Sequence, residues 1–252
     1  MTAIEPYFLS LSLIEAGILA SLIAGLATGI GALPIFVVRS VSARLNDALL
    51  GVAAGLMLGA CFQLVVEGAE YGHAQTGVGA FLGVGFILST QRFLKEQEIE
   101  IDEVRSADAR RMVMIVVVMT VHSMAEGIAV GAAFGGGADL AILITAAIAV
   151  HNVPEGLAIS AVLRPRGVSV VGCAWWSFFS SIPQPLMAVP AFLFVDAFRP
   201  ALPYALGFAA GAMIFMVLVE LLPEAYEEGR RPAVGLLVSA TLVAMIVVQQ
   251  YL

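Results

Sequence analysis

From Leu140 to Leu163 the only ionisable side chains are His151 and Glu155. A run of that length is enough to cross the hydrocarbon core of a bilayer as an α-helix, which takes about 20 residues. Comparable apolar runs recur along the whole chain. The candidate spans are roughly 14–38, 46–67, 76–94, 112–133, 139–163, 167–195, 201–222 and 232–252. Inside lipid every backbone N–H and C=O must be satisfied within the segment, so such runs are helical. The sixth is interrupted by Pro183, Pro185 and Pro190, each of which removes a helical donor. The expected fold class is therefore an all-α polytopic membrane protein with eight transmembrane helices. The loops are too short to house a soluble domain, so residues 1–252 form one membrane domain.

Charge supports the same count. Only 12% of the 252 residues are charged, against about a quarter in a soluble domain. Of the 12 basic residues, Arg39, Arg44, Arg92, Lys95, Arg105, Arg110, Arg111, Arg164, Arg166, Arg230 and Arg231 fall in alternate loops, and Arg199 alone falls on the other side. The positive-inside rule makes the basic side cytoplasmic and places both termini outside. The N-terminal run lacks the basic flank of a signal peptide and reads as a retained helix. The size and the lack of a transit peptide suit a bacterial inner membrane. A net charge of −7 gives no reason to expect nucleic-acid binding. Cys61 and Cys173 both sit in apolar runs, which argues against a disulfide scaffold. The stretch "KEQEIEIDEVRSADARR", about 95–111, reads as a cytoplasmic loop. Glu5, Glu67, Glu70, Asp139, Asp196 and His73 lie at or near the outer side. They are either solvated loop ends or a mouth that concentrates cations.

Two of the spans carry the same costly pair. "HSMAEG", 122–127, and "HNVPEG", 151–156, share the frame H-x-x-x-E-G. Residues i and i+4 lie on one helix face, so His122 points with Glu126 and His151 with Glu155. Each histidine falls roughly 16–18 Å into its span at 1.5 Å per residue, near the midplane. The two spans are consecutive and antiparallel, so the two faces meet at one depth. An ionised Glu at a helix centre costs about 2.5–3.5 kcal/mol. No Lys or Arg lies at that depth in either span to neutralise these two, whereas a divalent cation would. Imidazole nitrogen with carboxylate oxygen suits Zn²⁺, Fe²⁺ or Mn²⁺.

Other polar groups fall within the spans. Gly127 and Gly156 allow close backbone approach, or simply helix packing. Pro154 frees the carbonyl of Val150. Ser123 and Asn152, each next to its histidine, offer oxygen ligands. Met57 is core filler or a ligand. Gln184, between two prolines in a broken span, is a candidate to line a cavity. Glu220 is an interfacial carboxylate or a ligand on an exit path.

These motifs resemble the Zrt/Irt-like (ZIP) family of divalent metal transporters, bacterial type. The likeness rests on "HSMAEG" and "HNVPEG", with "AAGLML" in span two, "PQPLMA" in span six and "AAGAMIF" followed by "VELLPE" in span seven. It covers nearly the whole chain. It implies a transport site of His122, Glu126, His151 and Glu155, with Met57 as a further ligand. It implies a second metal position at Ser123, Asn152 and Gln184 beside the two glutamates, and an exit-side ligand at Glu220. Ser123 and Ala125 stand where Asn and Pro are common, and Asn152 and Gln184 are neutral where some members carry acids. The second position is thus expected to be weaker. The cytoplasmic loop has no His, unlike many members.

"AAGLML" in span two and "AAGAMI" in span seven are also alike and run in opposite directions, the mark of an inverted-repeat transporter with a midplane site. The expected function is uptake of Zn²⁺, with Fe²⁺, Mn²⁺ and Cd²⁺ as alternatives, by alternating access. No prosthetic group is expected. The partners are divalent metal ions, the bilayer and a possible second copy in a homodimer. A metal-selective channel shares every ligand. An intramembrane metalloenzyme is disfavoured because the H-E-x-x-H frame is absent.

Overall fold

The computed structural model describes residues 13–34, 42–95, 106–136, 138–194, 199–226 and 231–250, and all regular structure among them is helical. The elements are α1 (Leu13–Ile30), α2 (Ala43–Lys95), α3 (Ser106–Gly136), α4 (Ala138–Leu163), α5 (Val170–Ser180), α6 (Pro183–Leu193), α7 (Leu202–Met216), α8 (Leu222–Tyr226) and α9 (Arg231–Gln249). A π-turn over Val217–Leu221 joins α7 to α8. Four helices among the described residues are long and apolar enough to cross a membrane: Ala43–Phe93, Asp108–Gly131, Leu202–Tyr226 and Arg231–Gln249. The apolar Glu15–Ile30 is shorter.

Several boundaries differ from the sequence expectation. Spans two and three are the two arms of α2, broken at Gly72, whose backbone is extended (φ 164°, ψ 107°). The chain folds back there. A side chain at Gly68 would meet that of Thr76, which a continuous helix would hold about 12 Å away. Span six comes as α5 and α6, 11 residues each. Pro183 and Pro185 open α6, and the turn before them is closed by Ile182 N–H to Phe179 O and Gln184 N–H to Ser181 O. The expected cytoplasmic loop is shorter than 95–111, because α3 already starts at Ser106. Its Ala and Arg residues are good helix formers, and Asp108 in the first turn complements the helix dipole. Residues 1–12, 35–41, 96–105 and 251–252 lie outside the described residues, and with them both termini and most of that loop.

Small residues set how the helices pair. A Cβ at Gly156 would run into the Thr28 carbonyl, and one turn earlier Asn152 donates to the Ala24 carbonyl, so α1 lies parallel to α4. Gly127 meets the Gln184 carbonyl and Gly131 that of Ala188, so α3 lies parallel to α6. The first arm of α2 runs parallel to α9, with Gly55 against Val238 and Gly59 against Leu242. Its second arm runs parallel to α7, with Gly79 against Tyr204 and Gly83 against Phe208. Apolar helices in lipid gain little from hydrophobic exclusion, so close van der Waals packing over small residues has to hold them. The pairings make two groups. One is α1, α3, α4, α5 and α6. The other is α2, α7 and α9. They meet where α2 packs on α4 and α3 on α7.

Candidate metal centre

The paired motifs fall on α3 and α4, the two helices of the first group that also pack on the second. His122 and Glu126 are one turn apart on α3, and Glu155 comes from α4. His122 Nε2 lies 2.9 Å from Glu155 Oε1 and 3.3 Å from Glu126 Oε1. One ligand atom from each of the three lies within 4.8 Å of the others, and each residue is only 1% exposed. One imidazole and two carboxylates thus converge in a buried space between two helices. The glycines that follow the two glutamates bring a carbonyl of α6 or α1 against each motif.

Asn152, fully buried on α4, stands one turn from this trio in sequence. Its Nδ2 donates to the Ala24 carbonyl at 2.9 Å and to Gln184 Oε1 at 3.2 Å. Gln184 is therefore turned towards Asn152. Among the described residues, Ser123 Oγ, Asn152 Oδ1, Gln184 Nε2 and Thr28 Oγ1 are buried without a hydrogen-bond partner. Buried polar atoms are nearly always paired, so the facing Asn152 and Gln184 each keep capacity for a further polar partner. Thr28 is the addition that sequence reasoning missed. A lone threonine in an apolar run carries no signal, and only the pairing of α1 with α4 brings it to Gly156.

Met57 is fully buried in the shared core. His151 falls within α4, but its side chain lies outside the described residues. Glu220 stands apart from the trio. It sits in the π-turn, accepts from Gln91 Nε2 at 2.8 Å and lies 3.7 Å from Arg111 Nε.

Glu220 belongs to a second polar cluster that the sequence did not announce. Arg166, in the short helical turn after α4, donates to Asp108 Oδ1 and Glu224 Oε1, each at 2.9 Å. Glu224 Oε2 is also 3.7 Å from Arg111 Nη1. Burial works to lower the Arg166 pKa, but the hydrogen bonds and charges of Glu224 and Asp108 outweigh it and hold the guanidinium above its usual value. Asp108, Arg111 and Arg166 belong to the first helix group, and Gln91, Glu220 and Glu224 to the second. The buried apolar side chains of Met216 and Leu221 lie beside this cluster. A void of about 10 Å³ beside Met216, Leu221 and Glu224 is too small for a passage.

Fold and site together define a helical membrane protein with a buried His/Glu cluster of the kind that could hold a metal ion. Comparison with known proteins places it further. Residues 91–247 match the family model described as ZIP Zinc transporter. A putative zinc transporter of Arabidopsis thaliana is 43% identical over 206 residues, 80% of this chain and 33% of its own. Zinc transporter GufA of Myxococcus xanthus is 31% identical over 88% of this chain and 94% of its own. Zinc transporter ZIPB of Bordetella bronchiseptica is 33% identical over 86% and 75%. The chain belongs to the ZIP family. It spans a third of the plant relative's length and almost all of the Myxococcus one. The family is one of transporters, not enzymes.

Proposed function

We propose that this chain carries divalent metal cations, Zn²⁺ foremost with Fe²⁺, Mn²⁺ and Cd²⁺ as further substrates, across a membrane to the cytoplasm by alternating access. The observation that carries this reading is the convergence of His122, Glu126 and Glu155 from two helices in one buried place. Two carboxylates at that depth are costly unless a cation neutralises them. The imidazole nitrogen biases the site towards Zn²⁺ over harder ions. His151 and Met57 complete the ligand set in this proposal. Ser123, Asn152, Gln184 and Thr28 form a neutral second position, and Glu220 is a ligand on the way out.

Burial of all three site residues supports a carrier over an open pore. The Arg111, Arg166, Glu220 and Glu224 cluster serves as the closure on the cytoplasmic side. The parallel pairings support eight spans. In a chain of alternating spans, one pairs with five, four with six, two with eight and three with seven only in parallel. They also support an inverted repeat, since the contact of α1 on α4 has its counterpart in α6 on α3. The bacterial relatives, matched over most of their length, support placement in a bacterial inner membrane.

The test is uptake of radiolabelled Zn²⁺ into proteoliposomes, with competing metals. Saturable uptake is expected, reduced by Cd²⁺ and Fe²⁺ and indifferent to Mg²⁺. Flux that does not saturate, with unitary currents, would overturn the carrier reading.

A further inference from the structure

An apolar groove of about 320 Å³ opens sideways from the first helix group. Its walls include Val113, Val116 and Val117 of α3, Leu163 at the end of α4, and Val168 and Trp176 at α5. All of these lie within about two turns of the basic end of their helices. Trp176 is 40% exposed, and its neighbour Trp175 is 58% exposed. Half-exposed tryptophans near a helix end are the usual mark of the headgroup level of a bilayer.

Two arginines neighbour the lining residues along the chain. Arg110 precedes Val113 and Val117 on one face of α3, three and seven residues before them. Arg164 follows Leu163 directly. Its Nη1 donates to the Val168 carbonyl at 3.2 Å, and its buried Nε has no partner among the described residues. The nearby Arg111 and Arg166 are taken up by Glu220, Glu224 and Asp108. Arg110 and Arg164 have no carboxylate partner among the described residues. Two guanidinium groups with no carboxylate partner among the described residues thus sit on the helix ends next to the residues that line the slot.

We propose that this groove holds an acyl chain of one anionic phospholipid, with its phosphate bound by Arg110 and Arg164. A basic pocket between helices at the cytoplasmic surface is the arrangement that selects anionic headgroups. A guanidinium fork matches two phosphate oxygens, and the unpartnered Arg164 Nε gains an acceptor. An apolar chain buried between α3 and α5 replaces the loose contacts of bulk lipid. The proposal rests on the chain lying in a membrane and not on which metal it moves.

The experiment is native mass spectrometry of the purified protein with phosphatidylglycerol or phosphatidylcholine of identical acyl chains. One phosphatidylglycerol is expected to be retained in preference to phosphatidylcholine. Arg110→Gln and Arg164→Gln should each reduce that preference roughly fivefold, the worth of one basic residue at a lipid surface. Arg44→Gln, at the exposed start of α2, should leave it unchanged. Val116→Trp should fill the slot and lower retention of both lipids. Equal retention of the two lipids by the wild type would overturn the proposal, and so would a preference that survives both arginine changes. A second copy of the chain in place of lipid would overturn it too. Lipid selectivity is read without any metal flux, so its failure and that of the transport reading are separable.

Discussion

At the residue scale, the imidazole of His122 stands between two carboxylates that come from different helices. The repeated frame made this legible, because a histidine and a glutamate four apart in an apolar run have few other uses. What the frame does not encode is which donors close on one another. His122 reaches across to Glu155 at 2.9 Å, closer than its own helix partner Glu126 at 3.3 Å. Nor does the sequence show that Gln184 faces Asn152. Glu126→Ala or Glu155→Ala is expected to cut Zn²⁺ uptake in proteoliposomes by more than the roughly 10–100-fold that loss of an outer-shell partner costs. Near-normal uptake in both variants, at normal protein levels, would remove the two residues from the site. Gln184→Glu keeps the acceptor for Asn152 and adds a charge beside the Asn152 side chain, whose oxygen has no partner among the described residues. A second equivalent of bound Zn²⁺ by calorimetry is expected. An unchanged stoichiometry and affinity would show that Gln184 does not serve a metal position. Protons compete with metal for the same donor atoms. Apparent Zn²⁺ affinity should therefore fall as pH drops from about 7.5 to 5.5, through the ordinary histidine range. A flat profile would remove His122 from the ligand set.

At the scale of the elements, hydropathy locates apolar helices well and their ends poorly. The periodicity of α3 gives no hint that it starts at Ser106, since a charged first turn reads as loop. The break at Gly72 and the turn between α5 and α6 were signalled by Gly and Pro, yet the extended backbone at Gly72 is a tertiary matter. Pairing is what the glycines specify. A methyl group at Gly127 meets the Gln184 backbone carbonyl, which belongs to a helix that cannot shift without dragging α6. Gly127→Ala is expected to destabilise the protein by about 1–3 kcal/mol, the ordinary cost of overpacking. Because Glu126 is adjacent, uptake should fall with it. Gly77 and Gly85, in the second arm of α2, have open space where a Cβ would go. Alanine there should leave the melting temperature unchanged or raise it, by up to about 1 kcal/mol in helix propensity. Thermal unfolding monitored by intrinsic fluorescence separates the cases. Equal stability of all three variants would mean that α3 and α6 are not held by that contact.

At the scale of the whole molecule, two helix groups pack on one another, and charged side chains tie them at one end. The alternation of basic residues along the chain marks that end as the expected cytoplasmic one. The pairing of Arg166 with Glu224 was not readable, since the partners are 58 residues apart and lie in different helix groups. Their side chains are only 8% and 10% exposed, so the pair is largely desolvated. Taking one partner from a buried pair costs about 3–5 kcal/mol, because the other charge is left behind. Here the cost falls on the closed arrangement alone, since separating the groups lets Arg166 reach water while it keeps Asp108. Glu224→Gln should thus shift the molecule towards opening at the basic end. The expected signature is faster hydrogen exchange in residues 106–118 and 216–226, with the helix pairs Gly55–Val238 and Gly79–Tyr204 unchanged. The charge swap Arg166→Glu with Glu224→Arg should restore slow exchange, which a mere loss of packing would not. Exchange in Glu224→Gln equal to the wild type would show that the ion pairs do not hold the two groups together.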